Sequence, residues 1–384
     1  LQARQTLEAL RLGVVPAHGL GALTVGRDRE LTRLHRLLDG DGTGLLTIEG
    51  HYGAGKSHLI ALAGAAAEER GWVVARASFD PLEVPPSHPL RIYRALAGSL
   101  QVPGATTRGL GPLLDQAAEH RALAPHRFLE AGRFARAEPS VDTILQDDVM
   151  DLIHGRAAGS AGDLDRRLRR AGYDGDRLLG LPDYRTFGQI LAHLLAGIGR
   201  WSQAVGHRGL LVLLDEAEYL DRIGSTARSL AQNVLRHLAL ASLPDEALAF
   251  EPASVPRGGH AVHRGLAPRV GEGPSVAVVA AFTPDPSVHA ALAEVLRDPS
   301  AHAVPLRPVR GAELPALGDR VLQLVIQAHP QLSPPPADRH GAARLLGRAF
   351  ASGAVGSARQ AARLVVAFWD LYRVDPARAR AAAD

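Results

Sequence analysis

Gly50, His51, Tyr52, Gly53, Ala54, Gly55, Lys56 and Ser57 meet the pattern G-x-x-x-x-G-K-[ST] at every fixed position. Glycines let such a loop take positive φ angles and turn its backbone N–H groups toward phosphate oxygens. A helix starting there would add its own N-terminal amides. The lysine would reach the β- and γ-phosphates, and the serine hydroxyl would ligate Mg²⁺. Lys56 is the single lysine among 43 basic side chains; every other one is arginine. A guanidinium is a wider, planar fork than the ammonium that fits between phosphates, which explains why a chain otherwise lacking lysine keeps one here.

That chemistry needs a carboxylate at the end of a neighbouring strand. The apolar run 210–214 supplies one, since Asp215 and Glu216 follow it directly. Asp215 is expected to help hold Mg²⁺ and Glu216 to polarise an attacking water. The same pair could also serve as a plain helix N-cap. Two further side chains carry two readings each. Thr283, after the run 276–282, could hydrogen-bond a γ-phosphate or lytic water, or simply shape the turn before Pro284. Arg359 could contact a γ-phosphate, or be a solvated charge on a helix face.

The surrounding pattern predicts the elements that would position these groups. An apolar run at 45–49 precedes the glycine-rich loop, a helix is expected from about 57 to 71, and a β-type run follows at 72–77. Strand, loop, helix and strand in that order predict a parallel sheet. Residues 1–40 read as an N-terminal helical segment. Residues 41–306 read as an α/β core holding a helical insertion at 104–182 and a long loop or hairpin at 244–274. Residues 307–384 read as a helical lid. Helices are also expected at 184–205, 218–243 and 287–297.

Composition removes whole classes of function. With no cysteine among 384 residues, disulfide scaffolds, thiolate metal sites and cysteine nucleophiles are excluded. A 46% hydrophobic, 22% charged chain is ordinary for a folded protein. No apolar run approaches the roughly 18 residues a membrane span needs, so a cytoplasmic protein without a membrane partner is expected. A net charge of +3 is weak evidence for nucleic acid. His260 and His263 are spaced H-x-x-H without a helical glutamate, and predict a solvated loop rather than a zinc site. Asp147, Asp148 and Asp151, and the arginine-rich 163–170, predict charged helix faces.

Taken together, GHYGAGKSHLI (50–60), FDPLEVPPSHPLRIYRAL (79–96), VLLDEAEYL (212–220) and VAVVAAFTPDP (276–286) resemble the BREX-system ATP-binding protein family (BrxD-like), in the origin-recognition-like branch of AAA+ P-loop ATPases. EALRLGVVP (8–16) and VGRDREL (25–31) are similar as well, so the likeness covers roughly 1–375. It implies an α/β AAA+ fold with a parallel sheet flanked by helices, a helical insertion and a C-terminal helical lid. It also implies ATP and Mg²⁺ as ligands and a role in bacterial defence against phage, beside a helicase or other DNA-processing partner. Val25, Gly26 and Arg27 would pack around adenine, with the run from Gly50 to His58 along the phosphates. Thr283 and Arg359 would be the two nucleotide sensors. A homo-oligomer would supply an arginine finger, for which Arg297 at the end of the helix after Thr283 is the candidate, with a simple surface charge as the commoner reading of such a residue. No winged helix is evident at the C-terminal end, so DNA stays open as a direct partner. A switch that binds ATP and recruits a partner without turnover is the rival reading, and a DNA-translocating motor is a third.

Overall fold

Five stretches form strands: β1 (Gly44–Glu49), β2 (Val73–Ser78), β3 (Leu210–Asp215), β4 (Val276–Phe282) and β5 (Ala303–Pro305). They make one sheet in the order β2-β3-β4-β1-β5. β3 runs parallel to β2, with Val73 opposite Leu210 and Ser78 opposite Asp215, and parallel to β4, with Leu210 opposite Val276. All five residues from Leu210 to Leu214 are at most 1% exposed. A strand paired on both edges and covered on both faces must be apolar at every position, which is why this run was legible. The computed structural model describes residues 1–156, 160–217, 224–307 and 310–383, and it has the α/β P-loop fold expected from the sequence.

The chain divides into two compact units. One comprises Leu34–Ile48 and Gly64–Val304; the other comprises Leu1–Arg33, Glu49–Ala63 and Pro305–Asp384. In the first, residues 104–182 hold the helices Gly111–Ala117, Arg127–Ala137, Thr143–Ile153 and Ala161–Arg170. Phe128, Leu129, Ile153 and Leu168 from these helices are buried in the same core as Val73, Val212 and Val278 of the sheet. The largest side chains there satisfy their polar atoms: Trp72 donates to the Leu38 carbonyl and Trp201 to the Ala124 carbonyl. The acidic and arginine-rich faces pair with each other through Arg167 and Asp148, 3.0 Å apart.

Several boundaries differ from expectation. The helix expected at 184–205 is Gly188–Ala204, and the one expected at 218–243 is Ser225–Ser242, its first six expected residues lying outside the described ones. The segment 244–274 is not a hairpin. Its regular structure is the 3₁₀ helices Asp245–Ala247 and Pro252–Ser254 and the four-residue helix Ala261–Arg264, strapped down by bonds from distant side chains. His193 donates to the Ala267 carbonyl, His237 to that of Pro256 and Arg200 to that of Val270. His263, expected to be solvated, is buried and donates to the Gly180 carbonyl at 2.9 Å. The helix after β4 is Pro286–Ala293, capped by Asp285 and shorter than expected. Leu296 bridges to Leu248, and the Arg297 amide donates to the Ala247 carbonyl. Arg297 therefore sits in an exposed bend between the helices Pro286–Ala293 and Pro299–His302, not at the end of the helix that follows Thr283.

Buried histidines give this unit a definite acid response. His126 accepts from the Leu129 amide on Nδ1 and donates to the His193 carbonyl from Nε2. His154 accepts from the Leu110 amide on Nε2 and donates to the Met150 carbonyl from Nδ1. Protonation would turn each accepting nitrogen into a donor facing a donor. Burial holds both rings below the ordinary histidine range, His126 far below, and brings His237 down to about 4. The unfolded chain takes up these protons from about pH 6.5, where the folded chain resists. Stability is therefore complete above that pH and is lost as it falls, with His237 alone accounting for on the order of 3 kcal/mol by the time its folded pKa is reached. Urea unfolding followed against pH should show a falling midpoint through this window; a flat midpoint would contradict the assignment.

In the other unit, the helices Gln2–Leu12, Leu314–Ala328, Gly341–Ala351, Ala358–Val374 and Pro376–Ala383 pack around Leu7, Leu10, Val321, Val325, Leu346, Val365 and Trp369. The buried Asp338 carboxylate accepts from the Tyr372 hydroxyl and from Arg380, tying the last helices together. Arg380, with Tyr372, holds that carboxyl below its ordinary range. Among the described residues, no helix is long and apolar enough to cross a membrane.

Candidate nucleotide site

The glycine-rich loop follows β1 directly and leads into the helix Lys56–Glu69. Gly53 and Gly55 have φ angles of 78° and 102°, which an L side chain would adopt only under strain. The Ala54 amide donates to the His51 carbonyl, closing the turn. Lys56 is 8% exposed, and its Nζ donates to the Gly50 carbonyl at 2.9 Å, so the ammonium spans the loop it belongs to. Ser57 stands in the first turn of the helix, whose leading amides carry the positive end of its dipole.

The N-terminal Val25-Gly26-Arg27 run is in the same unit as this loop, and Arg27 supports the loop directly. Its Nη2 donates to the Ala54 carbonyl at 2.7 Å and its Nη1 to the Arg307 carbonyl at 2.9 Å, while Glu30 pairs with it at 3.2 Å. Both charged side chains are nearly buried, so the guanidinium is a fixed strut rather than a mobile charge. Gly26 has φ 64°, and a Cβ there would collide with the Glu313 carboxylate. Thr24 shares a 2.8 Å hydrogen bond with His58 Nε2. Burial, helped by the Arg27 charge, lowers the His58 pKa to about 4, so its ring is neutral at physiological pH and adds no charge beside the loop.

Arg359 comes to the loop from the far end of the chain. Its Nη1 donates to the Tyr52 hydroxyl oxygen at 2.6 Å, and its guanidinium carbon lies 5.0 Å from the centre of the Tyr52 ring. Ser357 caps the helix Ala358–Val374, accepting from the Gln360 amide. A Cβ on Gly53 would lie 2.7 Å from that of Ser357, so the start of this helix rests against the loop. Sequence reasoning passed over Thr24, Glu30 and Ser357. Only the last had a local signal, the Ser-x-x-Gln spacing of a capping box.

The carboxylates and Thr283 belong to the sheet-bearing unit. Asp215 ends β3; its carbonyl accepts from the Phe79 amide and its Oδ1 from the Glu216 amide at 2.9 Å. Leu214 lies opposite Ala280 in β4, so Asp215, Glu216 and Thr283 stand at the C-terminal ends of two adjacent parallel strands inside the sheet. Glu216 has φ 57°, the one positive φ at a non-glycine among the described residues. That conformation costs about 1–2 kcal/mol, and such strain concentrates at functional positions.

Residues 1–176 match the family described as BREX system ATP-binding protein BrxC/D. None of the curated proteins matches the chain. Among solved structures, that of the Aeropyrum pernix Orc1 protein in complex with DNA is similar at 14% identity and a TM-score of 0.39, over 91% of this chain and 61% of that one. This chain thus spans less than two thirds of that protein's length.

Proposed function

We propose that the chain binds Mg-ATP and hydrolyses it, as the ATPase component of a bacterial anti-phage defence system beside a helicase or other DNA-processing partner. The observation that carries this reading is the loop itself, with Lys56 closed onto Gly50 and Arg27 bracing Ala54. The defence role rests on the family matched by residues 1–176.

Ser57 and Asp215 offer the hard hydroxyl and carboxylate oxygens that suit Mg²⁺. Mg²⁺ would supply charge neutralisation at the β- and γ-phosphates. Lys56 and the loop amides cradle the phosphates, Val25, Gly26 and Arg27 form the adenine side, and His51, Tyr52 and His58 line the approach. Glu216 takes up the role of orienting water, with Thr283 and Arg359 contacting the γ-phosphate side. Catalysis of this kind is positioning plus electrostatics, so a missing positive charge is felt directly in the rate.

An arginine from a second copy would add to that charge, and the exposed Arg297 is the candidate. Specific turnover should therefore rise with protein concentration, and Arg297→Ala should remove the rise while leaving ATP bound. A high turnover flat across concentration overturns the oligomeric part of the reading.

A further inference from the structure

The Tyr52–Arg359 contact joins residues 307 positions apart and has a shape that suggests a contest. Tyr52 sits inside the phosphate-binding pattern, yet it is 79% exposed, while Lys56 in the same loop is buried. A guanidinium resting on this ring is held at the outside of the loop. Arg359 and the start of its helix lie close to the loop and to Gly13. Ser357 lies against Gly53, and a Cβ on Gly13 would meet the Arg359 stem carbons at 3.3 and 3.4 Å.

The two acceptors for that guanidinium are unequal. A phenol oxygen is neutral, and an exposed aromatic face adds only a weak attraction. A phosphate oxygen carries charge and makes hydrogen bonds roughly twice as strong. An arginine drawn from the tyrosine to phosphate would deliver a binding energy reduced by what it gives up.

We infer that Tyr52 is a specificity-determining residue for nucleotide: it competes with the γ-phosphate for Arg359, and so sets how strongly the site prefers triphosphate over diphosphate. This rests on the ATP-binding reading above and deepens it. ADP has no γ-phosphate to draw the arginine across, so the contest weighs on ATP alone.

The test is equilibrium binding of the β,γ-imido analogue of ATP and of ADP to the full chain, measured with Tyr52→Ala, Tyr52→Phe, Arg359→Ala and the double variant Tyr52→Ala/Arg359→Ala. In Tyr52→Ala the ratio of the two dissociation constants should shift about two- to fivefold toward the analogue. Tyr52→Phe keeps the ring and loses the hydroxyl, and should shift it part of the way. Against Arg359→Ala, removing Tyr52 should not move the ratio. A ratio unchanged by Tyr52→Ala, shifted toward ADP, or shifted equally with and without Arg359 overturns the inference while leaving the ATP-binding reading intact. No binding of either nucleotide to the unaltered chain overturns both.

Discussion

Glu216→Gln should leave ATP binding close to that of the unaltered protein and lower phosphate release by about 10²–10⁴-fold, the range a positioned general base contributes. Glutamine keeps the size of the side chain and one carbonyl oxygen but cannot accept a proton. Its backbone need is the same, so the positive φ of 57° at this position is no more strained in the variant. Melting curves measured beside the rates separate a lost rate from a lost fold. The same substitution separates the two functional classes. If ATP serves only to switch the chain between partner-binding states, a phage-challenge assay should not distinguish Glu216→Gln from the parent. If hydrolysis matters, protection should be lost with ATP still bound.

Lys56→Ala should instead remove nucleotide binding itself. A charged hydrogen bond contributes about 1.5–3 kcal/mol, so the loss is roughly ten- to a hundredfold in Kd from direct contact alone. The loop adds to it. Lys56 is buried and bonded to the Gly50 carbonyl, so truncation also leaves an acceptor without that donor and loosens the turn that presents the amides. Lys56→Arg is the sharper variant. It keeps the charge but must fit a planar fork into the space of an ammonium, and should bind ATP little better than the alanine form. Isothermal titration measures both. Unchanged affinity in Lys56→Ala would remove the lysine from the phosphate site.

The sequence was most informative where local rules decide the structure. The loop could be read because Gly53 and Gly55 occupy backbone conformations that other residues adopt only under strain. β3 and β4 could be read because central strands admit no polar side chains, and their runs of Leu, Val and Ala have no other use. Legibility failed where distant partners decide. Nothing near Pro256 or Ala267 announces that His237 and His193 will take their carbonyls and hold 244–274 without strands. The helix after β4 stops early because Leu296 bridges to Leu248, 48 positions back, and this moves Arg297 out of it. Grouping residues 1–33 with 305–384 likewise depends on packing of Leu7 and Leu10 with Val321 and Trp369. Tyr52 and Arg359 were each singled out, but no spacing rule could have paired them.

Single-turnover quenched-flow with the protein in excess over radiolabelled ATP addresses hydrolysis most directly, since product release and contaminating turnover drop out. Labelled phosphate should appear in one phase that requires Mg²⁺, disappear in Lys56→Ala with binding, and disappear in Glu216→Gln with binding retained. Recovery of intact ATP from the bound complex, at every concentration of the unaltered chain, would contradict an ATPase and leave a nucleotide-binding switch in its place.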